Sequence, residues 1–337
     1  MIKCSLCKIN DADKTGSHVV PHFLMKMVDN ADHVKGRDKE LGFKITEDFV
    51  KPYFGRDVNT DKLEAVFGDI TDDDIAESRS EIIADNIYCS NCEKKFGRLE
   101  SFYAKTLEIF NDSEYISSNE PFLSLLFWSS IVWRISSYKK MGFSLTEKEQ
   151  EHLRKILVNS LKDEYTLEEN RSINEIKNLR YAILRSPQYF KDNETSVFFH
   201  PKHRFPYCLL IGEYTVFFFM KINHLRNPEQ SFFGLEKFLK KASLNSCDIG
   251  ENIFPISYKD MDLAKDKFID FVNERRLKGL FFNLDELHVK LGGEGKKMPM
   301  PYKMEILAEL LKDNKKSGRS FTREDIVSVT TKVLLKT

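Results

Sequence analysis

The apolar residues of this chain recur at two periods, and the changes between them predict its elements. Phe23, Leu24, Met27 and Val28 fall at helical spacing behind Pro21, and Phe96, Leu99, Tyr103 and Leu107 line one face of a longer helix. The run from 122 to 133, ending in Ile131, Val132 and Trp133, is apolar all round, which predicts a helix buried on every side. Thr146-x-x-Glu149 is a capping-box pattern opening an amphipathic helix through Leu153, Ile156, Leu157 and Leu161. A further helix is expected from about 168 to 184, ending before Pro187 because proline disfavours helical geometry in the residue preceding it. The period then changes. Residues 196–199, 207–211 and 214–220 read as strands, the last two joined across Gly212-Glu213 by a tight II′ hairpin turn. Helices return at 261–276, 304–312 and 323–335, the last opened by Thr322-x-x-Asp325.

Two short stretches near the N-terminus read as strands: Ser17-His18-Val19-Val20, stopped by Pro21, and Asp85-Asn86-Ile87-Tyr88. Between them, residues 31–84 have the character of an insertion. Lys35 to Phe43 is charged and glycine-punctuated, and Tyr53-Phe54-Gly55-Arg56 repeats the basic-aromatic theme. Such loops either hold phosphates and stack on bases or are solvated loops with aromatics tucked onto the core. Asp72-Asp73-Asp74 behind Thr71 reads as a helix N-terminus. Gly292 to Lys297 lacks the glycine and hydroxyl spacing of a phosphate loop and is expected to be a linker.

Composition narrows the class. The chain has 337 residues, 41% of them hydrophobic, so it can build more than one core. Its 52 basic and 52 acidic residues cancel, so a nucleic-acid surface has to be local. No charged leader precedes an apolar run, and the longest apolar stretch is too short and too serine-rich for a span; a cytoplasmic protein with no membrane association is expected.

Six cysteines in such a chain fit metal binding and buried thiols better than a disulfide framework. Cys208 and Cys247 stand alone, whereas Cys4-x-x-Cys7 and Cys89-x-x-Cys92 are pairs. Together the pairs supply a tetrahedral structural Zn²⁺ site with no open position for substrate; the competing reading is two unrelated buried or redox pairs. Catalysis would then fall to His18, whose imidazole suits a general base at neutral pH. Asn86 has an amide able to orient that ring, and Glu93, behind Cys92, offers a hard oxygen to a catalytic Mg²⁺ or Mn²⁺, with His18 as a second ligand.

The order Cys4-x-x-Cys7, Ser17-His18-Val19-Val20-Pro21, Asn86-Ile87-Tyr88-Cys89-Ser90-Asn91-Cys92-Glu93 resembles the HNH endonuclease family in its zinc-knuckle, ββα-metal form. The resemblance covers roughly the first 105 residues. It implies His18 as general base, Asn86 as its orienting partner, four cysteines on zinc, and DNA as substrate. Ser17 stands where the family often has an acid, and Glu93 where it has His or Asn. The expected class is α+β. An HNH-like nuclease module over 1–110, interrupted by the 31–84 insertion, would precede a mainly helical domain over 111–337 with a β-hairpin near 196–222. That second part would serve oligomerisation or a partner protein, in the manner of a restriction or phage-defence effector. The alternative is a non-catalytic, zinc-stabilised module that binds protein or nucleic acid.

Overall fold

The structure, a computed structural model, describes residues 2–25, 41–45, 50–54, 61, 63, 83–107, 113–138, 143–161, 176–186, 197–199, 205–222, 232–317 and 323–334. The chain divides into two compact units, one formed by 1–28 with 81–265 and the other by 29–80 with 266–337. No helix among the described residues is long and apolar enough to cross a membrane.

The first unit is built on a sheet of six strands among the described residues: β5 (Tyr115–Ser118), β6 (Arg180–Arg185), β7 (Val197–Phe199), β8 (Tyr207–Ile211), β9 (Tyr214–Phe219) and β10 (Glu251–Pro255), with strands β1 to β4 outside it. Their spatial order is β5-β10-β6-β9-β8-β7, antiparallel except for the β10–β6 pair. Side chains on a strand alternate between faces, and here the alternation sorts two cores. Tyr181, Ile183, Tyr207, Leu209, Tyr214, Val216 and Phe218 join one cluster. Ala182, Leu184, Cys208, Leu210, Phe217 and Phe219 join the other. Both faces are therefore covered, which is why β8 and β9 read as unbroken apolar runs rather than as an alternating pattern.

Three helices share the larger cluster: α1 (Ser90–Thr106), α2 (Pro121–Ser137) and α3 (Glu147–Ser160). Every residue of α2 from Phe122 to Ser136 is buried, as its all-round apolar sequence predicts. The capping box that opens α3 is present in both directions, Thr146 Oγ1 accepting from the Glu149 amide at 3.3 Å and Glu149 Oε2 accepting from the Thr146 amide at 3.1 Å. On the opposite face of the sheet lie Phe232, Leu235, the short α4 (Glu236–Leu239), and Met261 and Ala264 from the start of α5 (Tyr258–Lys290).

In the second unit, Leu284 of α5 packs with Ile306 and Leu310 of α6 (Met300–Ser317) and with Val329 and Val333 of α7 (Arg323–Leu334). Lys303 is buried there because Asp285 pairs with it at 2.7 Å. β2 (Leu41–Ile45) and β3 (Val50–Phe54) form an antiparallel pair inside the stretch read as an insertion.

Three expectations are corrected. Residues 180–184, the end of the helix expected from 168, form β6 at the centre of the sheet, because a short apolar run fits either element until its neighbours are known. The expected hairpin exists, with φ +56° at Gly212, but it is part of a six-stranded sheet, next to the edge strand β7, rather than an isolated feature of a helical domain. No division of the core falls near residue 110: Phe96 and Tyr103 of α1 lie in the same cluster as Phe127 and Trp133 of α2. Of the rest of the 168–184 expectation, Ile176–Asn178 form a single 3₁₀ turn; residues 168–175, Arg37, Arg56, Asp72 to Asp74 and Thr322 lie outside the described residues.

Candidate metal centre and histidine site

The two cysteine pairs meet. The Sγ atoms of Cys4, Cys7, Cys89 and Cys92 lie within 4.8 Å of one another, with Cys7 to Cys89 at 3.9 Å. A tetrahedral zinc with Zn–S bonds of about 2.3 Å sets its sulfurs about 3.8 Å apart, so the set can hold a metal ion such as zinc. Each knuckle forms for a local reason. Lys8 takes a left-handed φ of +59°, and its amide turns back to the Cys4 carbonyl at 2.9 Å. In the second pair, Cys89 precedes α1 and Cys92 lies in its first turn, with the Glu93 amide bonded to the Cys89 carbonyl at 3.0 Å. Asn10 Nδ2 donates to Cys89 Sγ at 3.6 Å, an outer contact of the kind that steadies a thiolate ligand. The hydrogen bond from the Cys92 thiol pulls Cys4 below the usual thiol range, while the same bond pushes Cys92 up.

Neighbouring segments lock the knuckles. Asp13 Oδ1 accepts from the Ser90 amide at 2.8 Å and so caps α1, whose own N-cap residue, Cys89, makes no side-chain cap. Arg154 of α3 donates to the Leu6 carbonyl at 2.7 Å, and Glu151 bridges Arg154 and Lys8.

His18 sits on β1 (Ser17–His18), which pairs antiparallel with β4 (Ile83–Ala84), so that His18 faces Ile83 across the ladder. It is half-buried, and its Nε2 is closed off from solvent. Asn86 does not lie on the partner strand, which ends at Ala84. It is exposed at a φ of +55°, with its amide bonded to the Lys14 carbonyl at 2.8 Å. Asn and Asp tolerate that left-handed geometry better than most residues, which gives Asn86 a backbone reason to be there.

Glu93 and Ser17 are brought together. Burial pushes the Glu93 carboxyl above the usual carboxylate range; Ser17, Arg134 and Lys14 pull it down, and Glu100 adds to the rise. Arg134 itself was visible in the sequence only as the residue closing an apolar run. It is 2% exposed, pairs with Glu100 at 2.6 Å, and donates to the His18 carbonyl at 3.1 Å. A single arginine at the end of an otherwise apolar helix face was the one available signal, because a buried cation requires a partner.

Among the described residues, the four cysteines are the one group of three or more His, Cys, Asp or Glu whose ligand atoms converge. Comparison of the chain with protein-family models, with curated proteins and with solved structures finds no match.

Proposed function

We propose that the chain is a metal-dependent phosphodiester hydrolase of the HNH, ββα-metal kind acting on DNA, with His18 as general base and Glu93 as a cation ligand. The observation that carries this reading is the meeting of Ser17, on the strand that bears His18, with Glu93, in the first turn of the helix that carries Cys92 of the cysteine cluster. Zinc on four thiolates has no open position, so its role is to tie the Cys4–Cys7 knuckle to the start of α1. A bound Mg²⁺ or Mn²⁺ supplies the neutralisation of charge that phosphodiester cleavage develops. A single half-buried carboxylate fits such an ion, because Mg²⁺ is commonly held by one or two carboxylates together with substrate phosphates. With Nε2 of His18 turned into the protein, general-base chemistry falls to Nδ1. Asn86 has no assigned part in this reading.

The test is incubation of purified protein with plasmid in Mg²⁺ or Mn²⁺. Cleavage that falls by at least about 100-fold in His18→Ala supports the reading, the usual scale for a positioned general base. Cleavage unchanged in His18→Ala removes His18 from the chemistry. Absence of cleavage with either ion assigns the cysteine cluster to a non-catalytic recognition module, the reading that the uncharged Ser17 beside His18 favours.

A further inference from the structure

Arg134 contacts the segment that bears His18, and the role inferred for it rests on the nuclease reading in taking His18 as the general base. Arg134 is on α2, outside the stretch that resembles a nuclease, yet its side chain spans the distance to β1 and α1. One terminal nitrogen, Nη1, donates both to the His18 carbonyl at 3.1 Å and to Glu100 Oε1 at 2.6 Å. The guanidinium lies over the Phe96 ring at 4.9 Å. Nε reaches the Ser130 carbonyl and Nη2 the Ser130 hydroxyl, each at 3.4 Å, and that hydroxyl is itself tied to the Phe127 carbonyl at 2.7 Å.

A buried guanidinium is expensive unless it is paired and its N–H groups are used. Folding could meet that requirement with Glu100 and helix groups alone, since they lie on the neighbouring helix and on α2 itself. The bond to His18 adds something else: it fixes the peptide carrying the imidazole, on a strand only two residues long. β1 has no length of ladder to set the angle of its own side chains, so its orientation depends on outside anchors. We propose that Arg134 is a positioning residue, holding the His18 backbone so that the imidazole keeps its working direction. Lysine cannot replace it. An ammonium is a point donor, and it cannot lie flat on Phe96 while serving a carbonyl, a carboxylate and Ser130 together.

The experiment uses the full chain, zinc-loaded, as wild type, Arg134→Lys and Glu100→Gln. Three quantities are read: bound zinc, the ¹H–¹³C imidazole resonance of His18 among the eight histidines, and kcat and KM on plasmid. In Arg134→Lys with zinc retained, the His18 resonance is displaced, the resonances of histidines remote from β1 stay in place, and kcat falls at least about 10-fold with KM within about twofold, since small misplacement of a reacting group costs up to about 100-fold. In Glu100→Gln the arginine keeps its bond to the carbonyl, so His18 keeps its wild-type resonance and kcat stays within about threefold of wild type. An unmoved His18 resonance in folded Arg134→Lys overturns the inference. A His18 resonance displaced in Glu100→Gln also overturns it, by showing that the ion pair rather than the carbonyl bond sets the ring, and this arm decides the matter if Arg134→Lys does not fold. If wild type does not cleave, the nuclease reading fails separately, and the resonance arms still decide whether Arg134 positions His18.

Discussion

Glu251 has no exposed surface, and both carboxylate oxygens are fully used. Oε1 accepts from Tyr103 at 2.8 Å and Ser117 at 2.7 Å, and Oε2 from Trp128 and Tyr181, each at 2.9 Å. One side chain on β10 thus ties together α1, β5, α2 and β6. Truncation to alanine takes the shared acceptor away from four buried donors, of which Ser117 keeps a longer contact to the Glu251 carbonyl at 3.3 Å, and Glu251→Ala is expected to lose about 3 kcal/mol or more in urea unfolding. Burial pushes the Glu251 carboxyl above its ordinary value, and the four hydrogen bonds only partly offset that. The folded state therefore binds this proton more tightly than the unfolded chain does. The contribution is full below the free-Glu pKa of about 4.3 and is lost as pH rises toward the elevated value. The stability of wild type relative to Glu251→Gln should accordingly fall across that window, and an equal gap at every pH would show that the group titrates alike in both states. At Cys4 the expectation concerns metal: Cys4→Ser should bind well under one equivalent of zinc, because a hydroxyl is a poor fourth ligand for a thiolate set. The four cysteines were legible in the sequence because their spacing is local within each pair. Glu251 was not, since nothing in Glu251-Asn252-Ile253 reveals that four donors from four other elements will surround it.

At the scale of elements, helices announced themselves by local rules and strands did so incompletely. Thr146-x-x-Glu149 specifies its helix start through contacts within four residues, and Thr146→Ala should lower stability by about 1 kcal/mol, read as a shift in the urea midpoint at constant slope. Glu149 also accepts from Tyr207 of β8 at 2.7 Å, a tie that the capping pattern does not contain. The β8–β9 turn was equally local. Gly212 has φ +56°, and Gly212→Val should cost about 1–3 kcal/mol, because a β-branched residue is strained there. β6 escaped notice because Arg180 to Arg185 holds only four apolar residues, a number that suits a buried strand or one turn of a buried helix. β5 and β10 carry Ser117, Ser118, Glu251 and Asn252, polar residues that obscure the strand pattern; Ser117 and Glu251 are buried because they bond each other and because donors from α1, α2 and β6 reach the Glu251 carboxylate.

At the scale of the molecule, the cysteine cluster and the sheet belong to one unit and share one core, in which Cys4, Cys89 and Cys92 join Tyr88, Phe96, Trp133 and the inner face of β6 and β9. Both tryptophans of the chain lie on α2 and are buried, so their fluorescence reports on that core. Stripping the metal with a strong chelator should shift tryptophan emission to the red and lower the melting temperature of this unit in a single transition. Unchanged emission after complete zinc removal would show that the knuckles are dispensable to the core. By itself the sequence determined the paired cysteines, the buried and capped helices and the β8–β9 hairpin, because each is set by residues within a turn or two of one another. Only the tertiary structure decided that β6 is a strand, that Glu251 can be buried, and that Arg134 reaches His18 and Glu100. Each of those depends on groups that meet only when distant segments pack, and burial there is tolerated only where a partner arrives from elsewhere in the chain.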